Sequence, residues 1–201
     1  MHAMQILFAS TNKGKIIEIQ ECLAGAKIEL LTLEDFNLDS HDVHEHGSTY
    51  EENALIKARY FFEKSGVPTF ADDSGIIVDA LKNELGVQTR RWGAGSKASD
   101  KEWIDFFLDR MSREPNKRAR FITCIAYIDK QNITHIFEGH CDGIITNTVE
   151  ADYLPGLPIS GCFTPDGFDK VFSALSVDDK NRISHRGRAM QGFVKYLNSV
   201  N

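Results

Sequence analysis

Thr69-Phe70-Ala71-Asp72-Asp73-Ser74-Gly75-Ile76-Ile77-Val78 sets two adjacent carboxylates and a hydroxyl at a break between two strand-like apolar segments. In extended backbone successive side chains point to opposite faces. Asp72 and Asp73 are therefore expected to face different ways, with only one required to look into a cleft. Gly75 permits a sharp turn or a close approach of a ligand. Paired acids beside a small hydroxyl, ringed by apolar residues, suit a hard cation such as Mg²⁺. The plainer alternative is a surface turn in which Asp and Ser bond to nearby amides.

Upstream, residues 4–9 (MQILFA) read as a buried strand, and Ile16, Ile19 and Leu23 recur at helical spacing. Between them lies Ser10-Thr11-Asn12-Lys13-Gly14-Lys15. A strand, a small polar loop and a helix start aim backbone N–H groups at whatever sits above the loop, and phosphate is the usual guest. The P-loop spacing is absent, since position 9 is Ala and Ile16 follows Lys15. An ordinary turn with surface lysines stays open. Residues 27–31 read as a second strand and 32–42 as a polar connection. His41, His44 and His46 with Asp42 and Glu45 read as a solvated loop in preference to a zinc site, because no second ligand cluster has zinc spacing.

Downstream, residues 49–65 form the clearest helix. Thr49-x-x-Glu52 is a capping box, and Asn53 and Lys57 lie one turn apart on a polar face. The glycine-rich stretch 86–95 carries Arg90 and Arg91, a phosphate clamp or an exposed turn. Ser99-x-x-Glu102 starts another helix that buries Trp103, Ile104, Phe107, Leu108 and Met111. Residues 118–128 and 134–146 are two long strands, a hairpin in an elongated mixed sheet. Residues 154–167, with three prolines and three glycines, read as a loop. Polar residues 178–187 precede a final helix that buries Met190, Phe193, Val194 and Leu197. Lys180, His185 and Arg186 near that helix start make an anion site or a solvated basic turn.

The 201 residues suit one domain or two closely joined lobes. A net charge of −6 argues against a nucleic-acid partner, which would favour a basic surface. The four cysteines form no C-x-x-C pair, and Cys22 and Cys124 read as reduced core residues. There is no signal-like N-terminus and no run of about 18 apolar residues, so no membrane partner and a cytoplasmic location are expected.

Four blocks, in order, resemble the inosine/xanthosine triphosphate pyrophosphatase family over about residues 5–193: Ser10-Thr-Asn-Lys-Gly-Lys15-x-x-Glu18, Glu45-x-Gly47-x-Thr49-x-x-Glu52-Asn53-Ala54 with Lys57-Ala58, Ala71-Asp72-Asp73-Ser74-Gly75, and Lys180-Asn-x-Ile-Ser184-His185-Arg186-Gly187. The resemblance implies one α/β domain over residues 1–201, with an elongated central mixed sheet, flanking helices and two lobes around a cleft, assembled as a homodimer. It implies Mg²⁺-dependent cleavage of a nucleoside triphosphate to monophosphate and pyrophosphate. By motif position Glu45 and Asp73 would hold the metal, Asp73 would activate water, and Ser74 would touch substrate. Ser10, Thr11, Asn12, Lys13, Gly14 and Lys15 would hold phosphates, and Lys180, His185 and Arg186 would contact base and phosphate.

One block departs. Where the family shows Gly-Phe-Gly-Tyr-Asp-Pro, this chain has Gly156-Leu157-Pro158-Ile159-Ser160-Gly161. Leu157 and Ile159 replace two aromatics and Ser160 replaces an acid, so stacking and a carboxylate contact to the base are both weakened. The expectation is intact phosphate and metal chemistry with altered base recognition. The alternatives are a related pyrophosphatase with another base preference, or a nucleotide-binding module without turnover.

Overall fold

The computed structural model describes residues 3–82, 84–95 and 97–200, Arg91 in its backbone only. Alternation along the central strands sets the architecture. In β1 (Met4–Phe8), Ile6 and Phe8 face one way, and Leu7, with Ala9 just beyond, the other. In β3 (Thr69–Val78), Phe70 joins the first side and Ala71 the second. One face is covered by α1 (Lys13–Cys22) and α5 (His185–Val200), through Ile19, Met190 and Phe193. The other is covered by α2 (Tyr50–Ser65), through Ala54, Ala58 and Phe61.

The remaining strands are β2 (Ile28–Thr32), β4 (Arg118–Ile128), β5 (Thr134–Ile145) and β6 (Phe163–Pro165), giving one sheet in the order β2-β1-β3-β4-β5-β6. β1 runs parallel to β2 and β3; the pairs β3/β4, β4/β5 and β5/β6 are antiparallel. This is the mixed sheet the sequence predicts. A third core, distal to the first two, gathers Ile76, Val78, Cys162, Phe163 and Phe172 around α3 (Asp100–Ser112), whose Trp103, Ile104, Phe107 and Met111 are buried.

Four expectations change. The acidic stretch is no break: β3 is continuous across ten residues, each paired with β4. Gly75 serves close approach instead of a turn, since a Cβ there would lie 2.6 Å from the Gly86 carbonyl and 2.7 Å from the Tyr50 hydroxyl. Residues 154–167 are not wholly loop, because they contain a 3₁₀ turn at Pro158–Gly161 and then β6, whose Phe163 fills the distal core. The polar stretch before the last helix is itself helical: α4 (Val177–Ile183) is capped by the Ser176 hydroxyl, which accepts from the Asp179 amide.

The two capping boxes form as read, Thr49 with Glu52 and Ser99 with Glu102. All four cysteines are free thiols. No helix among the described residues is long and apolar enough to cross a membrane.

Candidate active site

The site begins where β1 stops. β1 pairs with β3 only at Leu7–Thr69 and Phe8–Phe70, and the Ala9 amide adds a last bond to the Phe70 carbonyl. From Ala71 to Ser74 no strand pairs with the β1 side of β3, and the Ile76 amide beyond it donates to the Thr89 hydroxyl at 3.2 Å. A cavity of about 470 Å³ lies there. Because it lies off the strand edge, side chains from both faces of β3 border it, and Asp72 and Asp73 both line it. This corrects the expectation that one of them would suffice.

Alternation still divides their company. Asp72 faces α1 and α5: Lys15 Nζ donates to Oδ1 at 3.0 Å, and Arg186 donates to Oδ2 from Nε at 3.3 Å and from Nη2 at 3.1 Å. Arg186 Nη2 also reaches the Ser74 hydroxyl at 3.2 Å, and Nη1 donates to the Glu18 carboxylate. Arg186 is almost wholly buried and its fork is held by two carboxylates and a hydroxyl. Burial opposes the charge on Asp72, but Lys15 and Arg186 outweigh it and hold its carboxyl well below the usual range.

Asp73 faces α2. Asn53 Nδ2 donates to Oδ2 at 3.3 Å, and Lys57 Nζ lies 3.4 Å from Oδ1 and 2.9 Å from Glu45 Oε1. Burial raises the Asp73 carboxyl, and the pull of Lys57 only partly offsets it. Burial opposes the Lys57 charge too, but Asp73 and Glu45 raise its ammonium. Adjacent carboxyls are thus driven in opposite directions, the pattern that separates a fixed charge from a proton acceptor.

The first loop enters this arrangement with its donors partly used. The Asn12 side chain caps α1 by accepting from the Lys15 amide at 3.0 Å, and its Nδ2 donates to the Gly156 carbonyl at 3.2 Å. The Gly14 amide bonds to the Pro155 carbonyl at 3.0 Å. Ser10, Thr11, Asn12 and Lys15 line the cavity. Lys13 and Gly14 do not. Two residues of an α-helix lie about 200° apart around its axis, so Lys13 turns outward when Lys15 turns in. Gly14 is instead a packing contact, since a Cβ there would lie 2.6 Å from the Pro155 carbonyl.

Glu45, Ser74, Leu157, Pro158, Ile159, Ser160, Lys180, His185 and Arg186 all border the cavity. Several are already engaged: Lys180 pairs with Glu21 at 3.7 Å, and the Ser160 hydroxyl donates to the Leu157 carbonyl at 2.7 Å. His185 stacks on Phe121 with centroids 4.7 Å apart; burial, then Arg186 beside it, hold its ring far below the usual range and therefore neutral. Arg90 borders the cavity but donates to the Ala98 carbonyl at 2.6 Å, a structural role; the Arg91 side chain lies outside the described residues. Lys57, Glu18, Trp103 and Phe121 also line the cavity, and the sequence alone assigns them no site role. Lys57 was detectable from its i,i+4 relation to Asn53 on α2, whereas Trp103 reads only as a core residue of α3.

Glu45 and Asp73 fit a hard divalent cation. One ammonium already bridges them, and two carboxylates leave positions for phosphate oxygens and water, which Mg²⁺ prefers. No cluster of three or more His, Cys, Asp or Glu with ligand geometry occurs among the described residues.

A mixed sheet whose exposed strand edge gathers carboxylates and cations in one cleft defines a phosphate-handling α/β protein. The chain belongs to the Ham1 family, whose signature it matches over residues 6–196. A Flavobacterium johnsoniae protein called dITP/XTP pyrophosphatase is 37% identical over 197 residues, covering 98% of this chain and 100% of its own. A protein of the same name from Leptospira interrogans is 34% identical over 193 residues, covering 96% of each. Among solved structures, a HAM1 protein from Coxiella burnetii superposes with a TM-score of 0.81 at 30% identity, covering 98% of this chain and 99% of its own. The Staphylococcus aureus Ham1 protein gives 0.80 at 29% identity, covering 98% and 100%.

Proposed function

We propose that this protein is a nucleoside-triphosphate pyrophosphohydrolase that converts ITP, dITP or XTP to the monophosphate and pyrophosphate. The observation that carries the reading is the convergence of Glu45, Asp73, Lys15, Lys57 and Arg186 on one cavity of about 470 Å³, a volume typical of small-molecule sites. Family membership and the names of the relatives support the purine class.

Charge supports a metal requirement. Five Lys or Arg side chains line the cavity against four carboxylates, so the protein alone is far from matching a triphosphate. Mg²⁺ held by Glu45 and Asp73 would supply the missing charge and polarise a phosphoryl oxygen. Asp73, its carboxyl raised by burial, takes the proton as water attacks the α-phosphorus and the bridging bond to the β-phosphate breaks. Lys15 and Lys57 offset charge on the departing pyrophosphate. Asp72 stays ionised and fixes Lys15 and Arg186. Ser10, Thr11 and Asn12 border the phosphates, and Lys180, His185 and the turn at 157–160 border the base.

The test is pyrophosphate release with Mg²⁺ from ITP, XTP, GTP, ATP, CTP, UTP and dTTP in parallel, repeated with Asp73→Asn. Preferential release from ITP and XTP, lost in the folded variant, is expected. Release from none would leave a binding module without turnover; release from a different base would reassign the substrate.

The other sequence expectations join this reading. One domain of two lobes around the cleft is supported by a sheet shared by all three cores. A homodimer is supported by exposed Ile77 and Ile144, which share one sheet face with the Arg120–Asp142 ion pair; sedimentation would test it. Four free thiols are in keeping with a reducing cytoplasm.

A further inference from the structure

The base end of the cavity has an unexplained donor. Trp103, on the first turn of α3, lines the cavity and is 2% exposed, yet its indole Nε1 has no hydrogen-bond partner. Leaving a buried N–H unpaired is costly, and unpaired groups in folded proteins call for an explanation. Packing does not supply one. The ring stacks on Phe107, with centroids 5.3 Å apart and planes 16° apart, and meets Trp92 edge to face. Phe would serve those contacts equally well, so the indole nitrogen is surplus to the core.

Its location is informative. α3 is fastened to the divergent turn, because Asp100 Oδ2 accepts from the Gly156 amide at 2.6 Å. That turn offers no aromatic side chain and no carboxylate, and its one hydroxyl, Ser160, is spent on the Leu157 carbonyl. Phe121 and the neutral His185, a flat stacked pair, also line the cavity. The groups available to recognise a base edge at this end thus include a side-chain donor supplied by a helix, where the one side-chain donor of the turn is already used.

We propose that Trp103 is a specificity-determining residue: its indole N–H donates to the 6-oxo oxygen of a purine held between α3 and the Phe121–His185 pair. The inference rests on the nucleotide reading above. Hypoxanthine and xanthine present an acceptor at that position, adenine presents an amino group, and unsubstituted purine presents only C–H. Because the nitrogen is buried, its engagement requires the contact between α3 and the Pro158–Gly161 turn to open.

The experiment compares ITP with purine-riboside triphosphate, which lacks the 6-oxygen, in the wild type and in Trp103→Phe. The wild type should favour ITP in kcat/KM by about tenfold or more, and the variant should lose about that factor for ITP while changing little for the unsubstituted purine. A purely structural role would lower both substrates alike, and an unchanged ratio overturns the proposal. A second readout avoids dependence on folding of the variant. The chain has two tryptophans, so the ¹H–¹⁵N spectrum holds two indole signals, assigned with Trp92→Phe or Trp103→Phe. A non-hydrolysable imido analogue of ITP should shift the Trp103 signal downfield and the unsubstituted purine analogue should not; equal shifts overturn the proposal. If the wild type releases pyrophosphate from no triphosphate, the nucleotide reading itself fails, a result distinct from an unchanged ratio.

Discussion

Replacing Asp72 by Asn should cost the fold more than any single surface change. The carboxylate is buried between Lys15 at 3.0 Å and Arg186 at 3.1 Å. At about 3 Å and an effective dielectric near 20, each contact is worth roughly 5 kcal/mol before desolvation is subtracted. Asn can turn its oxygen to one cation only, and its amide then faces the other. Removing one member of a buried ion pair costs about 3–5 kcal/mol. For a chain of this length that lowers Tm by about 6–20 °C. The pH dependence gives an independent check. Asp72 has a folded pKa depressed below its unfolded value of about 3.9. Its contribution is therefore fully present above that value and is lost as pH falls through the folded pKa. Urea midpoints should show a constant gap between wild type and Asp72→Asn from pH 6 to 8, narrowing below about pH 4. A Tm loss under about 2 °C, or a gap that widens in acid, would refute the assignment of Asp72 as the ionised pivot.

Gly14→Ala places a Cβ 2.6 Å from the Pro155 carbonyl and 2.9 Å from the Leu157 side chain, so the phosphate loop must part from the turn; KM for the triphosphate should rise about tenfold or more, and unchanged kinetics would show that the contact is slack. Thr49→Ala removes the side-chain acceptor for the Glu52 amide and should cost about 1 kcal/mol, or about 2–4 °C in Tm, with kcat unaffected. Burial pushes the Cys22, Cys124 and Cys162 thiols up to about 12 and Cys141 to about 11, so native protein at pH 8 should react with a disulfide reagent at well under one thiol in minutes, and at four once unfolded. Two fast native thiols would contradict the packing around them.

The local features were legible because they depend on neighbours in sequence. Period 3.6 gives α2 and α3, and the capping boxes give their starts. Alternation in β3 correctly sends Asp72 and Asp73 to different partners. The supposed break at Asp72–Ser74 failed for a tertiary reason: polar residues are tolerated inside a strand when its edge opens on a cleft and cations from other elements neutralise them. Nothing near Asp72 announces Lys15 or Arg186, which lie 57 and 114 residues away in the chain. Likewise α4 is short and polar, with no apolar stripe to mark it, and is defined by the Ser176 cap and its packing on α5.

The site departs from its sequence reading in the same direction. Groups read as free for phosphate, the Gly14 amide and the Arg186 fork, are already bound within the protein. Arg186 then acts first as a strut: it ties α5 to β3 through Asp72 and Ser74 and to α1 through Glu18. On the proposed function, a substrate phosphate meeting Arg186 would compete with carboxylates already in place, which would favour entry with the charge of a divalent cation over entry alone. On the same reading, the balance of cations and carboxylates in the cleft would therefore also favour a metal-bound polyphosphate. Glu18→Gln separates this view from one in which Arg186 is a simple anion ligand. Weakening the strut should lower the Mg²⁺ concentration needed for half-maximal turnover, because Arg186 is freer to meet phosphate; a higher requirement would show that Glu18 assists the metal instead.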